Sequence, residues 1–266
     1  MNLPPIMYGT AWKADATEHL VRTALKTGFR AIDTANQRKH YDEPAVGNAI
    51  SKSGIAREHL FLQTKFTYVG GQDHRVPYNP HADYATQVRQ SFQSSLDHLR
   101  TTYIDSYLLH GPLVGVGLAL ADWHVWKEME KLHHEKHTHH LGISNVNFGQ
   151  VQELYEKAVV KPTFVQNRCY AQSGWDKEVR HFCTQKGIIY QGFSLLTANA
   201  FVLPHVQHIA ARVNKTPMQI IFKFAIQLGI VPLTGTTKST HMKEDLALDF
   251  TLSDEDIAFI ENIAVK

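Results

Sequence analysis

Residues 60–66 read LFLQTKF, an apolar run with a lysine near its end. A short apolar run bounded by turns reads as a strand buried on both faces, which is how a parallel sheet looks in sequence. An unpaired ammonium inside such a run costs several kcal/mol, so Lys65 needs a partner. The run before it, FRAID, ends in Asp33, and the run after it, IDSYLLH, ends in His110. Tyr41 lies in the loop that follows Asp33. In a parallel barrel, polar residues at C-terminal strand ends share one mouth, where such folds carry their chemistry. A carboxylate, a phenol, an amine and an imidazole gathered there form a proton-transfer device.

Outward from this stretch, strand-like and helix-like segments alternate. The expected strands are residues 6–9, 30–34, 60–66, 104–110, 140–145, 163–168, 188–194 and 230–234. The clearest helical patterns are 17–27, 84–99, 123–134, 148–158, 177–185, 217–228 and 252–265, with a shorter stretch from Asn199 to about Val213. Asn147 suits a helix cap, Gly28 and Gly187 suit helix stops, and Thr216-Pro217 is a cap followed by proline at the first helical position. Eight strand–helix units over 266 residues predict a single-domain (β/α)8 TIM barrel spanning residues 1–266. A doubly wound open sheet is the structural alternative, but the first turn, MYGTAWK, holds no G-x-G-x-x-G. The longest irregular stretch, residues 69–83, is of a length that compact domains keep for function or leave mobile.

Composition narrows the class. A net charge of +2 argues against nucleic acid as the main partner. Two cysteines, Cys169 and Cys183, are too few for a disulfide framework and read as reduced thiols. No window resembles a signal peptide or a spanning helix, so the expectation is a cytoplasmic chain without membrane contact, and a monomer.

The segments GFRAIDTA, YDEPAVGNAI, LFLQTKF, IDSYLLHGP, LGISNVN, FVQNR and GTTKSTHMKEDL, in that order, resemble the aldo-keto reductases over nearly the whole chain. The resemblance implies a catalytic tetrad of Asp33, Tyr41, Lys65 and His110. It also implies reduction of an aldehyde or ketone to an alcohol by hydride from a nicotinamide, with NADPH expected ahead of NADH. Tyr41 would protonate the substrate oxygen, Lys65 would lower the phenol's pKa, Asp33 would hold Lys65 charged, and His110 would orient the carbonyl. The family's tyrosine normally stands five residues after the aspartate, where this chain has Arg38. Tyr41 is eight along, at the end of NQRKHY, and His40 is the competitor should that loop be displaced.

By the same resemblance, Ser144, Asn145 and Gln166 hold the nicotinamide carboxamide, and Phe193 stacks on the ring. Gly9, Thr10 and Asp33 line the same end. Ser194 and Leu196 run along the pyrophosphate, in a Ser-Leu-Leu that replaces the usual Ser-Pro-Leu. Gly235, Thr236, Lys238, His241, Glu244 and Asp245 meet the adenosine end, with Lys238 placed for a 2′-phosphate and His241 where the family often has arginine. The substrate pocket is expected from Trp12, Tyr41, Phe66, His110 and the Gly-rich loop after it. Relative to many members, the chain starts without an N-terminal hairpin and stops without a long C-terminal tail, which predicts an open, permissive site. The segment HHEKHTHH at residues 133–140 has the imidazoles of a metal site but is read as surface, and no metal is expected. Two other functions fit the same residues: a Schiff-base aldolase using Lys65, and an NADP(H)-sensing regulatory subunit with little turnover.

Overall fold

The structure, a computed structural model, describes residues 3–264. Strands β1 (Met7–Gly9), β2 (Ala31–Asp33), β3 (Phe61–Phe66), β4 (Ile104–Leu109), β5 (Thr138–Ser144), β6 (Phe164–Arg168), β7 (Ile189–Phe193) and β8 (Val231–Thr234) close in that order into a parallel barrel. The helices are α1 (Thr17–Thr27), α2 (Glu43–Ser51), α3 (Tyr84–Leu99), α4 (Leu120–His134) and α5 (Phe148–Lys157). They continue with α6 (Lys177–Lys186), α7 (Gln207–Val213), α8 (Pro217–Gln227), α9 (Ser239–Leu246) and α10 (Asp254–Asn262). This is the expected (β/α)8 barrel, and none of its described helices is long and apolar enough to cross a membrane.

Local chemistry sets several boundaries. The Asn147 side chain accepts from Gln150 N at 3.0 Å and Thr216 accepts from Gln219 N at 3.3 Å, capping α5 and α8. Gly28 and Gly187 end α1 and α6 at φ values of 127° and 69°, which a side chain rarely tolerates. Helix α4 begins at Leu120, ahead of the expected Trp123, because Asp122 accepts from Ala119 N at 2.8 Å and fixes an earlier first turn. The stretch from Asn199 splits into a tight 3₁₀ segment, Ala200–Val206, containing Pro204, and then α7. The last expected helix, 252–265, shortens to α10 because Ser253 caps it, accepting from Asp256 N at 3.2 Å. The last residue of that expectation, Val265, lies outside the described residues.

Side chains alternate across each strand. On the inner side, Met7, Ala31, Phe61, Phe164 and Leu233 form an apolar plug. One step further along the strands, the interior turns polar: Asp33, Gln63, Lys65, Gln166 and Gln191 are all buried and bonded to one another. The outward positions, among them Ile32, Leu62, Phe66, Tyr107 and Val165, pack under the helices in the main core.

Candidate active site

Asp33 ends β2, in register with Gly9 of β1 and Gln63 of β3. Its carboxylate takes Lys65 Nζ at 2.7 and 2.8 Å, Gln63 Nε2 at 2.7 Å and Gln166 Nε2 at 3.0 Å. Lys65 is fully buried and gives a further bond to the Thr34 carbonyl at 2.8 Å. Burial lowers the lysine's pKa, and the charge and hydrogen bonds of Asp33 oppose that shift. Gln191 completes the ring of amides, accepting from Gln63 at 2.8 Å and from Gln166 at 2.9 Å.

Tyr41 joins this pair. Its ring centroid lies 5.5 Å from Lys65 Nζ and 6.0 Å from the His110 ring, which meets it edge-on at 70°. The long loop before it is braced from outside the barrel. Gln37 Nε2 donates to Gly71 O at 2.7 Å, Gln72 Nε2 to Asn36 O at 2.8 Å, and Arg75 Nη2 to Arg38 O at 2.7 Å. Residues 69–83, whose length suggested function or mobility, thus serve as a buttress for the Tyr41 loop, and none of them lines the cavity. Tyr78 seals the buttress, with its hydroxyl donating to Thr67 O at 2.7 Å.

The phenol's pKa corrects an expectation. Burial, and then the negative charge of Asp33, hold Tyr41 above the ordinary phenol value. Lys65 was expected to lower it. With the carboxylate 2.7 Å from the ammonium, the pair projects little net positive field, and desolvation of the phenolate wins. His110 moves the other way: burial, then Lys65 and His40, push its pKa down to about 3, so the imidazole is neutral. Its Nδ1 meets Thr67 Oγ1 at 2.7 Å, which leaves Nε2 as the nitrogen without a protein partner among the described residues.

These groups open into one cavity of about 560 Å³. Gly9, Trp12, Asp33, Tyr41, His110, Ser144, Asn145 and Gln166 line one end, and Phe193, Ser194, Leu196, Gly235, Thr236, His241, Glu244 and Asp245 continue it. Asn145, at φ 57°, gives its amide N–H to Ser144 Oγ at 3.1 Å and to His110 O at 2.7 Å. That leaves Asn145 Oδ1, Gln166 Oε1 and the Ser144 hydroxyl to meet an amide, the donor and acceptor set that a nicotinamide carboxamide requires. The start of α9 and the Gly235–Thr236 backbone sit at the far end, where helical N–H groups suit phosphate. The residues present therefore fit a nicotinamide dinucleotide.

Besides Lys65, which is fully buried against Asp33, three expected residues do not line the cavity. Phe66 follows Lys65 on β3 and so faces outward, fully buried against Tyr68 and Tyr78. Thr10 is also turned away; its hydroxyl and N–H both reach Asp33 O at 3.0 Å and hold that strand end. Lys238 precedes α9, exposed and outside the lining. Nor does the loop after His110 close over the cavity: Asn147 and Gln150 tie its carbonyls at Gly115, Val114 and Gly117 down onto α5. Trp12 stands at the rim, 74% exposed, with its ring centroid 3.6 Å from that of His40. Asp245 meets the cavity but its carboxylate takes the Thr234 hydroxyl at 2.6 Å.

Among the polar residues of the site that escaped the sequence reading are Gln63, Gln191, Thr67, Gln37, Arg168 and Thr234. Gln63 had a legible signal, two residues before Lys65 in an apolar run and therefore on the same strand face. The histidine-rich segment spreads over the end of α4 and into β5. His139 stacks on Tyr103 at 4.9 Å and His140 meets Phe164 edge-on. Among the described residues no three His, Cys, Asp or Glu side chains are grouped to hold a metal ion.

Comparison with known proteins agrees with this geometry. The family model described as "Aldo/keto reductase family" matches residues 6–265. The chain is 32% identical over 249 residues to a glyoxal reductase of Bacillus subtilis (strain 168), covering 93% of this chain and 83% of that protein. A crystal structure of an aldo/keto reductase from Brucella melitensis superposes with a TM-score of 0.84 at 28% identity, over 98% of this chain and 95% of that one. An aldo-keto reductase enzyme from a Medee basin deep-sea metagenome library gives a TM-score of 0.86 at 26% identity, over 100% and 94% of the two chains. The chain belongs to the aldo/keto reductase family, oxidoreductases that act on carbonyl groups.

Proposed function

We propose that this protein reduces aldehydes or ketones to alcohols with NADPH, Tyr41 delivering the proton. The carrying observation is the approach of the Tyr41 ring to both the Lys65 ammonium and the His110 imidazole, over a buried Asp33, inside a cavity with free amide-binding groups. Ser144, Asn145, Gln166 and Phe193 would hold a reduced nicotinamide, which would supply the hydride for the carbonyl carbon. His110, neutral and anchored by Thr67 through Nδ1, offers an Nε2–H to the carbonyl oxygen and sets its position. As negative charge develops on that oxygen, Tyr41 gives up its proton to it. The raised phenol pKa keeps that proton in place in the resting site, so it passes only to the more basic alkoxide that hydride addition creates, with the Asp33-paired ammonium held 5.5 Å from the ring. Asp33 and the two amides that bond it fix the lysine in that role.

NADPH ahead of NADH rests on Lys238, exposed just before α9 and outside the cavity lining, as the cation for a 2′-phosphate, while His241 on the lining stands where the family often has arginine. With a glyoxal reductase among its relatives, small aldehydes and dicarbonyls are the first substrates to try. The test is NADPH oxidation against aldehydes, ketones and dicarbonyls, in the wild type and in Tyr41→Phe. The variant is expected to lose turnover while still quenching or enhancing nicotinamide fluorescence on binding. Retained turnover in Tyr41→Phe would sink the assignment of the acid, and parallel Michaelis constants for NADH and NADPH would sink the phosphate reading.

A further inference from the structure

Among the described residues, Arg168 is the sole lysine or arginine lining the cavity. Strand β6 turns Phe164, Gln166 and Arg168 to the same side, so the guanidinium stands one step further toward the mouth than Gln166, in register with Phe193. It lies over two aromatic rings, 5.5 Å from the Phe193 centroid and 5.7 Å from that of Tyr170. One N–H reaches the Tyr170 hydroxyl at 3.0 Å. A guanidinium has five N–H donors, and the others have no acceptor among the described residues. Nor does Arg168 have a carboxylate partner there. Of the cavity's own carboxylates, Asp33 is taken by Lys65 and Asp245 by the Thr234 hydroxyl, and Glu244 on α9 forms no ion pair with the guanidinium. A planar cation held by aromatic faces, with its fork open, matches a carboxylate in bidentate fashion.

We infer that Arg168 binds a carboxylate carried by the substrate, so that oxo acids and aldehyde acids are the preferred substrate class. This rests on the carbonyl-reductase reading above. The groups suited to cofactor phosphate, the Ser194–Leu196 segment and the start of α9, follow β7 and β8. Arg168 stands instead above Gln166, where the reacting end of the cofactor is read. The substrate's carbonyl would meet Tyr41 and His110 while its carboxylate meets the guanidinium.

The test compares 4-carboxybenzaldehyde with its methyl ester, and succinic semialdehyde with butanal, at saturating NADPH. In the wild type, the ratio of kcat/KM for acid over neutral partner should exceed one and fall as potassium chloride is raised. In Arg168→Met, which keeps an apolar stem on the rings, that ratio should drop by about ten- to a hundredfold, mainly through KM, as expected for loss of a charged hydrogen-bond pair. Arg168→Lys should restore part of it. A wild-type ratio at or below one, or a ratio that Arg168→Met leaves unchanged, overturns the inference while leaving carbonyl reduction standing. An unchanged ratio with a raised KM for NADPH does the same and assigns the arginine to cofactor phosphate. Absence of turnover with every aldehyde, neutral and acidic, defeats the reductase reading itself and this inference with it.

Discussion

Lys65 Nζ lies 2.7 and 2.8 Å from the two carboxylate oxygens of Asp33, and both side chains are closed off from solvent inside the barrel. Each charge is tolerated only because the other is there. Asp33→Asn would leave the ammonium facing the donors of Gln63 and Gln166 without a counter-charge. The expected loss is about 3–5 kcal/mol of unfolding free energy, the range for breaking one side of a buried pair. The double change Asp33→Leu with Lys65→Met should recover a large part of that stability while remaining inactive. Urea unfolding of the single and double variants checks this, and a double variant no more stable than the single one would count against it.

In the proposed reaction the Thr67 hydroxyl donates to His110 Nδ1, which puts the ring's proton on Nε2. A valine in place of that threonine removes the 2.7 Å contact to Nδ1 while nearly keeping the side-chain volume. With either ring nitrogen then free to carry the proton, Thr67→Val should lower kcat by about five- to tenfold, roughly one hydrogen bond's worth, and Thr67→Ser should restore it. Because His110 titrates at about 3, it binds no proton in the fold between there and the ordinary imidazole value near 6.5. The unfolded chain does bind one in that window, so stability falls as pH drops through it. For the same reason kcat/KM should show no acid limb near pH 6.5. Such a limb, lost in His110→Gln, would contradict a neutral imidazole.

Asp245 bears on pH in the opposite sense. Burial raises its carboxyl to about 6, well above its unfolded value, so the folded protein holds that proton more tightly. Its contribution to stability is full at low pH and declines as pH rises through about 4 to 6. Asp245→Asn should therefore stabilise the protein at pH 8 by about 1–3 kcal/mol and change it little at pH 4. Thermal melts at the two values decide it; equal shifts at both would disprove the titration.

Gly47 lets α2 meet α3. A Cβ built there would sit 2.1 Å from His98 O and 2.9 Å from Leu99 Cα, both backbone atoms that cannot swing aside. Gly47→Ala should cost at least about 1–3 kcal/mol by overpacking. Because α2 follows directly from the Tyr41 loop, the same variant should also lose activity ahead of its loss of structure. Chemical denaturation and kcat measured on one preparation test both parts.

Much of this protein was legible in its sequence. The eight strands, the caps at Asn147 and Thr216, and the stops at Gly28 and Gly187 follow from patterning and local hydrogen bonding. The pairing of Lys65 with a carboxylate follows from the cost of an ammonium in an apolar run. Asp33, Tyr41 and His110 were legible as candidates because strand ends in a barrel share a mouth. Phe66 was misplaced by the resemblance, although it was legible too: with Lys65 turned into the barrel, alternation along β3 sends its neighbour to the core.

What tertiary structure alone decided are the properties that depend on groups far apart in the chain. Whether NQRKHY could hold Tyr41 in place depended on Gly71, Gln72 and Arg75, which brace it from a loop 30 or more residues away. The direction of the phenol's shift depended on how completely Asp33 neutralises Lys65 and how little water remains around Tyr41. The open fork of Arg168 depended on where every carboxylate in the barrel mouth ended up. Periodicity and local bonding act within a few residues and are written along the chain. Burial, field and the absence of a partner are sums over neighbours that only the closed barrel brings together.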